Sequence, residues 1–121
     1  MRNHKKLRAF ELADELVMLV YRTTASFPRS ETFGLASQIR RAAVSVPSNI
    51  VEGCARHNEA EYIRFLDIAL SSARELQYQV SLAIRLKYIE KHDGLKIERL
   101  CDETNRVLNG LQESLRRARR H

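Results

Sequence analysis

Apolar residues recur at intervals of three and four along four segments of this chain, the spacing that places side chains on one face of an α-helix. The segments span roughly residues 7–26, 35–55, 58–86 and 95–117. The 121 residues include only four glycines and two prolines, too few for the closely spaced turns of an all-β fold. The sequence therefore predicts a single all-α domain over residues 1–121.

The second segment contains Pro47, and a proline inside a helix removes a backbone hydrogen bond at a cost of about 3 kcal/mol. The apolar positions nevertheless keep the same helical phase before and after it. Because a helix that ended at this proline would have no reason to resume in phase, we predict one continuous helix with a kink. A hydroxyl from Ser45 or Ser48, or a water, could bind the carbonyl of Ala43 that the proline leaves free.

Four helices of this length with short connections favour an antiparallel up-down-up-down bundle. Asn58 with Glu61 three residues later is typical of a helix N-terminus, so the third helix is expected to begin there. The connection to the fourth helix is predicted over residues 87–94, with Asp93 and Gly94 as its turn. The expected fold is thus an all-α, antiparallel four-helix bundle with a Pro-kinked second helix.

The positive charge of the chain is concentrated in two basic flanks, residues 1–8 and 116–121. The net charge is +6, and all 15 acidic residues lie between positions 11 and 113. In an antiparallel bundle both flanks lie at the end that also carries the connection between the second and third helices. We call the basic residues expected to meet there the basic pole: Arg2, Lys5, Lys6, Arg8, Arg56, Arg116, Arg117, Arg119 and Arg120. Such a cluster suits the phosphates of RNA or DNA, although two solvated chain ends would have the same composition.

The apolar surface of the second helix covers roughly 200°, whereas a helix with one buried side needs little more than about 100°. Excess apolar surface indicates contacts between subunits, unless it covers two neighbouring helices of the same bundle. The opposite side carries a polar stripe with spacings of four, three and four, formed by Arg41, Ser45, Ser48 and Glu52. These side chains either reach other helices or subunits or are solvated. The residues predicted to be structural or to lie at an oligomer interface are Arg40, Arg41, Val44, Ser45, Pro47, Ser48, Val51 and Glu52.

The sequence contains none of the motifs of hydrolytic metal, nucleotide or dinucleotide sites. Cys54 and Cys101 lack metal-binding or redox spacing and are expected to be two buried thiols. We therefore predict no catalytic residue, no metal ligand and no cofactor. The one enzyme-like pattern is Arg116 with His121, which resembles the arginine–histidine motif of the HEPN ribonucleases that cleave RNA without metal. No apolar run reaches the roughly 18–20 residues that span a membrane and no signal peptide is visible, so a cytoplasmic protein is expected.

The segments FELADELVMLVYRTTASFP, FGLASQIRRAAVSVPSNIVEGCAR and EYIRFLDIALSSARELQYQV resemble the four-helix bundle family of the 23S ribosomal RNA intervening-sequence protein. The resemblance extends over about residues 10–111. Its most specific part lies around Pro47, in the motifs QIRRA, PSNI and EG. It departs from the family pattern at Cys54, where a serine is more usual.

The resemblance implies a ring-shaped assembly, typically a homopentamer, without enzymatic activity. The related accessory variability proteins of diversity-generating retroelements are basic pentamers that bind nucleic acid and a reverse transcriptase. The hypothesis that combines resemblance and charge is a homo-oligomer that binds RNA or DNA non-specifically through the basic pole. The alternatives are a protein-interaction scaffold and, from the Arg116–His121 pattern, a metal-independent ribonuclease.

Overall fold

The computed structural model describes residues 2–120, and of Arg120 only the backbone. Its four helices are α1 (Arg8–Thr24), α2 (Leu35–Cys54), α3 (Glu59–Arg85) and α4 (Lys91–Arg120), with short 3-10 turns at His4–Lys6 and Arg29–Glu31. Each helix packs against the next along the chain, and α4 packs back against α1. Within the described residues α2 does not contact α4, so these two helices lie diagonally across the bundle. The predicted four-helix bundle is confirmed.

The core divides into two apolar clusters along the bundle axis, and each draws side chains from all four helices. The cluster nearer the α3–α4 connection includes Leu16, Val20, Ile39, Leu76, Val80 and Ile97. The cluster nearer the chain ends includes Ala13, Val46, Ile50, Tyr62, Leu66 and Leu108. Apart from Ala13, these residues lie on the apolar faces that the three-and-four spacing predicts, and their burial stabilises the bundle.

Helix α2 runs through Pro47 without interruption, as predicted. Pro47 is buried, and so are the in-phase residues on either side of it, Val46 and Ile50. The Ser45 hydroxyl, one of the alternatives for the free carbonyl of Ala43, has other partners. It forms a 2.8 Å hydrogen bond with the Ser72 hydroxyl of α3 and accepts one from the Asn49 amide at 3.0 Å. Ser45 therefore ties α2 to α3.

The predicted turn between α3 and α4 was placed wrongly. Helix α4 begins at Lys91, so Asp93 and Gly94 lie in its first turn. The chain reverses instead at Lys87, whose φ of 62° lies in the left-handed region. Gly94 is required by packing, because a Cβ atom there would lie 2.4 Å from Cδ1 of Ile84. A glycine that looks like a turn residue in the sequence is a site of close helix packing in the fold.

Two local predictions are confirmed. The side chain of Asn58 caps α3 and accepts hydrogen bonds from the backbone N–H groups of Ala60 and Glu61, at 2.7 and 3.2 Å. Cys54 and Cys101 are both buried free thiols. Burial, with a smaller contribution from nearby carboxylates, raises the pKa of Cys101 to about 12, so its thiol is a poor nucleophile at neutral pH.

Candidate nucleic-acid and subunit interfaces

The two basic flanks lie at the same end of the bundle, beside the α2–α3 connection. The backbone N–H of Arg2 donates to the carbonyl of Cys54, at the end of α2, at 3.1 Å. At the other flank, Arg116 and Arg119 line a cavity of about 380 Å³ together with Ala60, in the first turn of α3. The described residues of the basic pole therefore come together at one end of the bundle from positions more than a hundred residues apart in the chain.

Most arginines of the basic pole already have carboxylate partners. The ion pairs are Arg2–Glu59 at 3.9 Å, Arg8–Glu11 at 3.4 Å, Arg8–Glu103 at 3.3 Å, Arg56–Glu52 at 2.9 Å, Arg116–Asp67 at 3.5 Å and Arg117–Glu113 at 3.3 Å. All are partly or largely exposed to solvent, and exposed pairs of this kind contribute roughly 0–1 kcal/mol each. An arriving phosphate could therefore replace a carboxylate at little cost.

Three of the pole's described cations need no such exchange. Lys5, Lys6 and Arg119 are exposed and form no ion pair within residues 2–120. Lys5 and Lys6 lie in the 3-10 turn before α1, and Arg119 lies in the last turns of α4. These three side chains are the ones most directly available to an anionic ligand.

Arg2, which the sequence predicts to bind nucleic acid, also holds the start of the chain against the bundle. Its guanidinium lies 4.0 Å from the centre of the Tyr62 ring and donates to the carbonyl of Arg56 at 3.1 Å. The Arg56 guanidinium in turn lies 4.9 Å from the centre of the Phe65 ring. Two aromatic rings thus lie at the pole, but Tyr62 is buried and both rings are in contact with arginine. They offer no open platform for stacking nucleic-acid bases.

An exposed apolar surface lies between α1 and α2. Phe33 is 97% exposed, and Tyr21 and Val44 lie nearby at 42% and 39%. They border a groove of about 500 Å³. We call the residues that line it the α1–α2 patch: Tyr21, Thr32, Phe33, Ser37, Arg40, Arg41, Val44 and Ser45. Sequence analysis missed Phe33, whose only signal was a large apolar residue in an otherwise polar loop.

Arg40 and Arg41 are adjacent in the sequence but have different roles. The Nε of Arg40 donates to the Thr24 hydroxyl at 2.8 Å, and its guanidinium lies 4.6 Å from the centre of the Tyr21 ring. Arg40 therefore joins α2 to the end of α1. Arg41 is exposed and has no hydrogen bond or ion pair within the described part of the chain. It separates the α1–α2 patch from a second groove, of about 380 Å³, between α2 and α3.

The remaining residues of the predicted interface set divide in the same way. Pro47 belongs to the buried side of α2, and Val51 is half-buried. Ser48 is exposed, whereas Glu52 pairs with Arg56 of the same chain, one helical turn away. Of the eight residues named from the sequence, Val44, Arg41 and Ser48 are the ones with substantial exposed surface and no partner in the described chain.

Residues 2–120 contain neither a metal-binding cluster of side chains nor a membrane-spanning helix. No three histidine, cysteine, aspartate or glutamate side chains of residues 2–120 are placed to share a metal ion. No helix in that range is long and apolar enough to cross a membrane. Of the ribonuclease-like pair, Arg116 contacts Asp67, and His121 lies outside the described residues.

Comparison with known proteins agrees with this architecture. The family model described as 23S rRNA-intervening sequence protein matches residues 5–110. A crystal structure from Bacteroides thetaiotaomicron VPI-5482, described as a protein of unknown function from the S23 ribosomal protein family, is similar with a TM-score of 0.80. The two are 26% identical, over 86% of this chain and 97% of that one. No curated protein matches the chain.

Proposed function

Since the chain belongs to the 23S rRNA-intervening sequence protein family, we propose that it is a non-enzymatic homo-oligomer that binds RNA or DNA through the basic pole. The observation that carries this proposal is the convergence of both basic flanks beside the α2–α3 connection. Neither flank alone holds more than four basic residues, but the fold joins them into one surface.

In this proposal the basic pole binds nucleic acid through its phosphates. Lys5, Lys6 and Arg119 contact phosphates directly, while Arg8 and Arg117 exchange their carboxylate partners for phosphate. Each contact releases condensed counterions from the nucleic acid, so affinity falls steeply as salt is raised. Because the rings of Tyr62 and Phe65 are in contact with arginine, bases are not read by stacking and sequence selectivity is low.

Self-association is the second part of the proposal. The α1–α2 patch exposes Phe33 almost fully, and burying an aromatic side chain of this size contributes strongly to association. The family resemblance implies a ring, typically of five subunits. A ring would repeat the basic pole around one rim, and several linked sites bind a polyanion more tightly than one site alone.

The test compares two variants of equal charge change. Lys5→Gln/Lys6→Gln/Arg119→Gln removes the unpaired cations of the basic pole, and Arg29→Gln/Arg74→Gln/Arg85→Gln removes three arginines elsewhere. Binding of a generic duplex is measured by fluorescence anisotropy at several salt concentrations. We expect the pole variant to bind more weakly and to lower the slope of log K against log salt by roughly 2–3, while the control behaves as wild type. Equal binding by all three proteins, or no binding at low salt, would contradict the proposal.

A protein-interaction scaffold is the second candidate, favoured by the same α1–α2 patch. In that case the exposed groove holds a partner protein, such as a reverse transcriptase, and the basic flanks have no ligand. Co-purification from native lysate with and without nuclease separates the two functions. A partner bridged by nucleic acid is lost after nuclease treatment, and one that occupies the groove is retained.

A further inference from the structure

A second cluster of cations lies on the side of the bundle, in the groove between α1 and α4. This α1–α4 groove has a volume of about 450 Å³ and is lined by Glu15, Leu19, Arg22, Lys96, Arg99, Leu100 and Glu103. Positions three, four and seven apart lie on the same face of a helix, so the lining residues of each helix stand side by side. Residues 15, 19 and 22 form one wall, and residues 96, 99, 100 and 103 form the other.

The groove contains more cations than carboxylates without an ion-pair partner. Arg22, Lys96 and Arg99 form no ion pair within residues 2–120. Of the two carboxylates, Glu103 is already paired with Arg8 at 3.3 Å. Three cations therefore face one free carboxylate, over an apolar floor. Counting charges in the sequence does not reveal this cluster. Outside the two basic flanks there are 13 basic and 15 acidic residues, so the net charge of that region is close to zero.

The groove and the basic pole are connected along α4. Arg106 is exposed, lies two helical turns beyond Arg99 and forms no ion pair in the described chain. Arg117, at the pole, follows on the same face. From Arg99 to Arg117 the helix rises about 27 Å. One strand of duplex DNA places a phosphate about every 3.4 Å along its axis, so roughly eight steps cover this distance.

The outer surface of α4 lies on the opposite side of the bundle from the outer surface of α2. Because the two helices lie diagonally and do not touch, a subunit contact made through the outer surface of α2 does not itself cover the outer surface of α4. We propose that the α1–α4 groove is a second phosphate-binding site, and that a single duplex lies along α4 and occupies the groove and the basic pole together. This inference rests on the proposed function.

The experiment uses two DNA probes and four proteins. The probes are a 20-base-pair duplex and a hairpin with a six-base-pair stem, whose stem of about 20 Å is too short to reach both sites. The proteins are the wild type, the pole variant, the groove variant Arg22→Gln/Lys96→Gln/Arg99→Gln, and the control variant Arg29→Gln/Arg74→Gln/Arg85→Gln. Dissociation constants are measured across a salt series, and thermal unfolding and light scattering verify that each variant folds and assembles.

We expect the groove variant to bind the long duplex at least about tenfold more weakly than wild type at 0.15 M salt, with a salt slope lower by roughly 2–3. It should also lose most of the preference for the long duplex over the hairpin, which the control variant keeps. A separate variant, Arg22→Lys/Arg99→Lys, keeps the positive charges of the groove and should bind the long duplex about as tightly as wild type.

If the groove variant binds both probes as the control does while the pole variant is weakened, the second site is overturned and the proposed function stands. If neither variant is weakened, the proposed function itself fails. Should the groove variant unfold, the comparison is made with Lys96→Gln/Arg99→Gln, two exposed changes on one helix. Unchanged duplex binding by that variant would equally overturn the second site.

Discussion

At the scale of single residues, Glu31 shows how one carboxylate joins two connections of the bundle. Its Oε1 accepts a hydrogen bond from the backbone N–H of Leu35 at 3.0 Å, which satisfies a free donor at the start of α2. Its Oε2 accepts one from the Tyr88 hydroxyl, beyond the end of α3, at 2.9 Å. The backbone hydrogen bond, followed by the one from Tyr88, holds the pKa of Glu31 below its ordinary value of 4.5.

This lowered pKa predicts a pH-dependent contribution to stability. Because the folded state prefers the ionised carboxylate, the contribution of Glu31 is present above pH 4.5 and is lost as the pH falls through the lower, folded-state pKa. Glu31→Gln should therefore lower Tm at pH 7, and the difference from wild type should shrink as the pH falls below 4.5 through the folded-state pKa. Thermal unfolding across this range measures it. Glu75→Gln, at an exposed position in α3, is the control, and a Glu31→Gln difference that does not change with pH would contradict this role of Glu31.

The two glycines of α4 should respond in opposite directions to alanine. At Gly94 a methyl group would meet Cδ1 and Cγ1 of Ile84 at 2.4 and 2.6 Å, and overpacking of this kind costs about 1–3 kcal/mol. At Gly110 no neighbouring atom lies within 4 Å of the added carbon, so alanine gains up to about 1 kcal/mol of helix propensity. We expect Gly94→Ala to lower the free energy of unfolding by about 1 kcal/mol and Gly110→Ala to raise it by about 0.5–1 kcal/mol. Urea denaturation gives both values, and changes of the same sign would contradict this assignment.

At the scale of elements, the sequence predicted those features that neighbouring residues decide. Helical phase survives Pro47 because it depends on spacing within one segment, and the cap at Asn58 depends on residues two and three positions away. The turn at Asp93 and Gly94 was predicted wrongly because the requirement for glycine comes from Ile84, on another helix. Local chemistry is visible in a sequence, whereas close packing between helices is not.

The same distinction applies to the candidate site. Antiparallel topology was enough to bring the basic flanks together, but it could not show which arginines would be paired. The partners of Arg2 and Arg8 include Glu59 and Glu103, which are far away in the sequence and meet them only in the fold. Phe33 has no periodic neighbours, so only its exposure in the structure identified it.

Loss of the cap provides a test at the level of one helix. Asn58→Ala removes the acceptor for two backbone N–H groups at the start of α3, and such changes cost about 0.5–2 kcal/mol. We expect the free energy of unfolding to fall by about 1 kcal/mol, and Asn58→Ser to recover most of it. Chemical denaturation measures both variants. If Asn58→Ala is as stable as wild type, the cap does not stabilise α3.

At the scale of the whole molecule, the α1–α2 patch predicts how copies associate. Phe33 contributes little to the core of its own chain because it is 97% exposed, so Phe33→Asp should leave the helices intact. The substitution should nevertheless reduce the proposed oligomer to monomers or smaller assemblies, since it places a charge at the contact. Tyr78→Asp changes an aromatic residue that is 63% exposed on α3, outside the patch, and should leave the assembly unchanged.

Light scattering at micromolar concentration measures this prediction directly, with circular dichroism to verify helix content. If the wild-type protein is monomeric, the proposed ring and the rim of repeated basic poles are both ruled out. A Phe33→Asp variant of unchanged mass would place the subunit contact elsewhere on the bundle.

The diagonal placement of α2 and α4 bears on how proteins of this shape can diversify. Because the two helices do not touch, a substitution on the outer face of one does not need a compensating change on the other. If the proposed assembly and ligand are correct, a descendant could exchange its anionic ligand by altering α4 while its subunits continue to assemble through α2. Changes on α2 would, under the same proposal, alter the assembly and leave the ligand site unchanged.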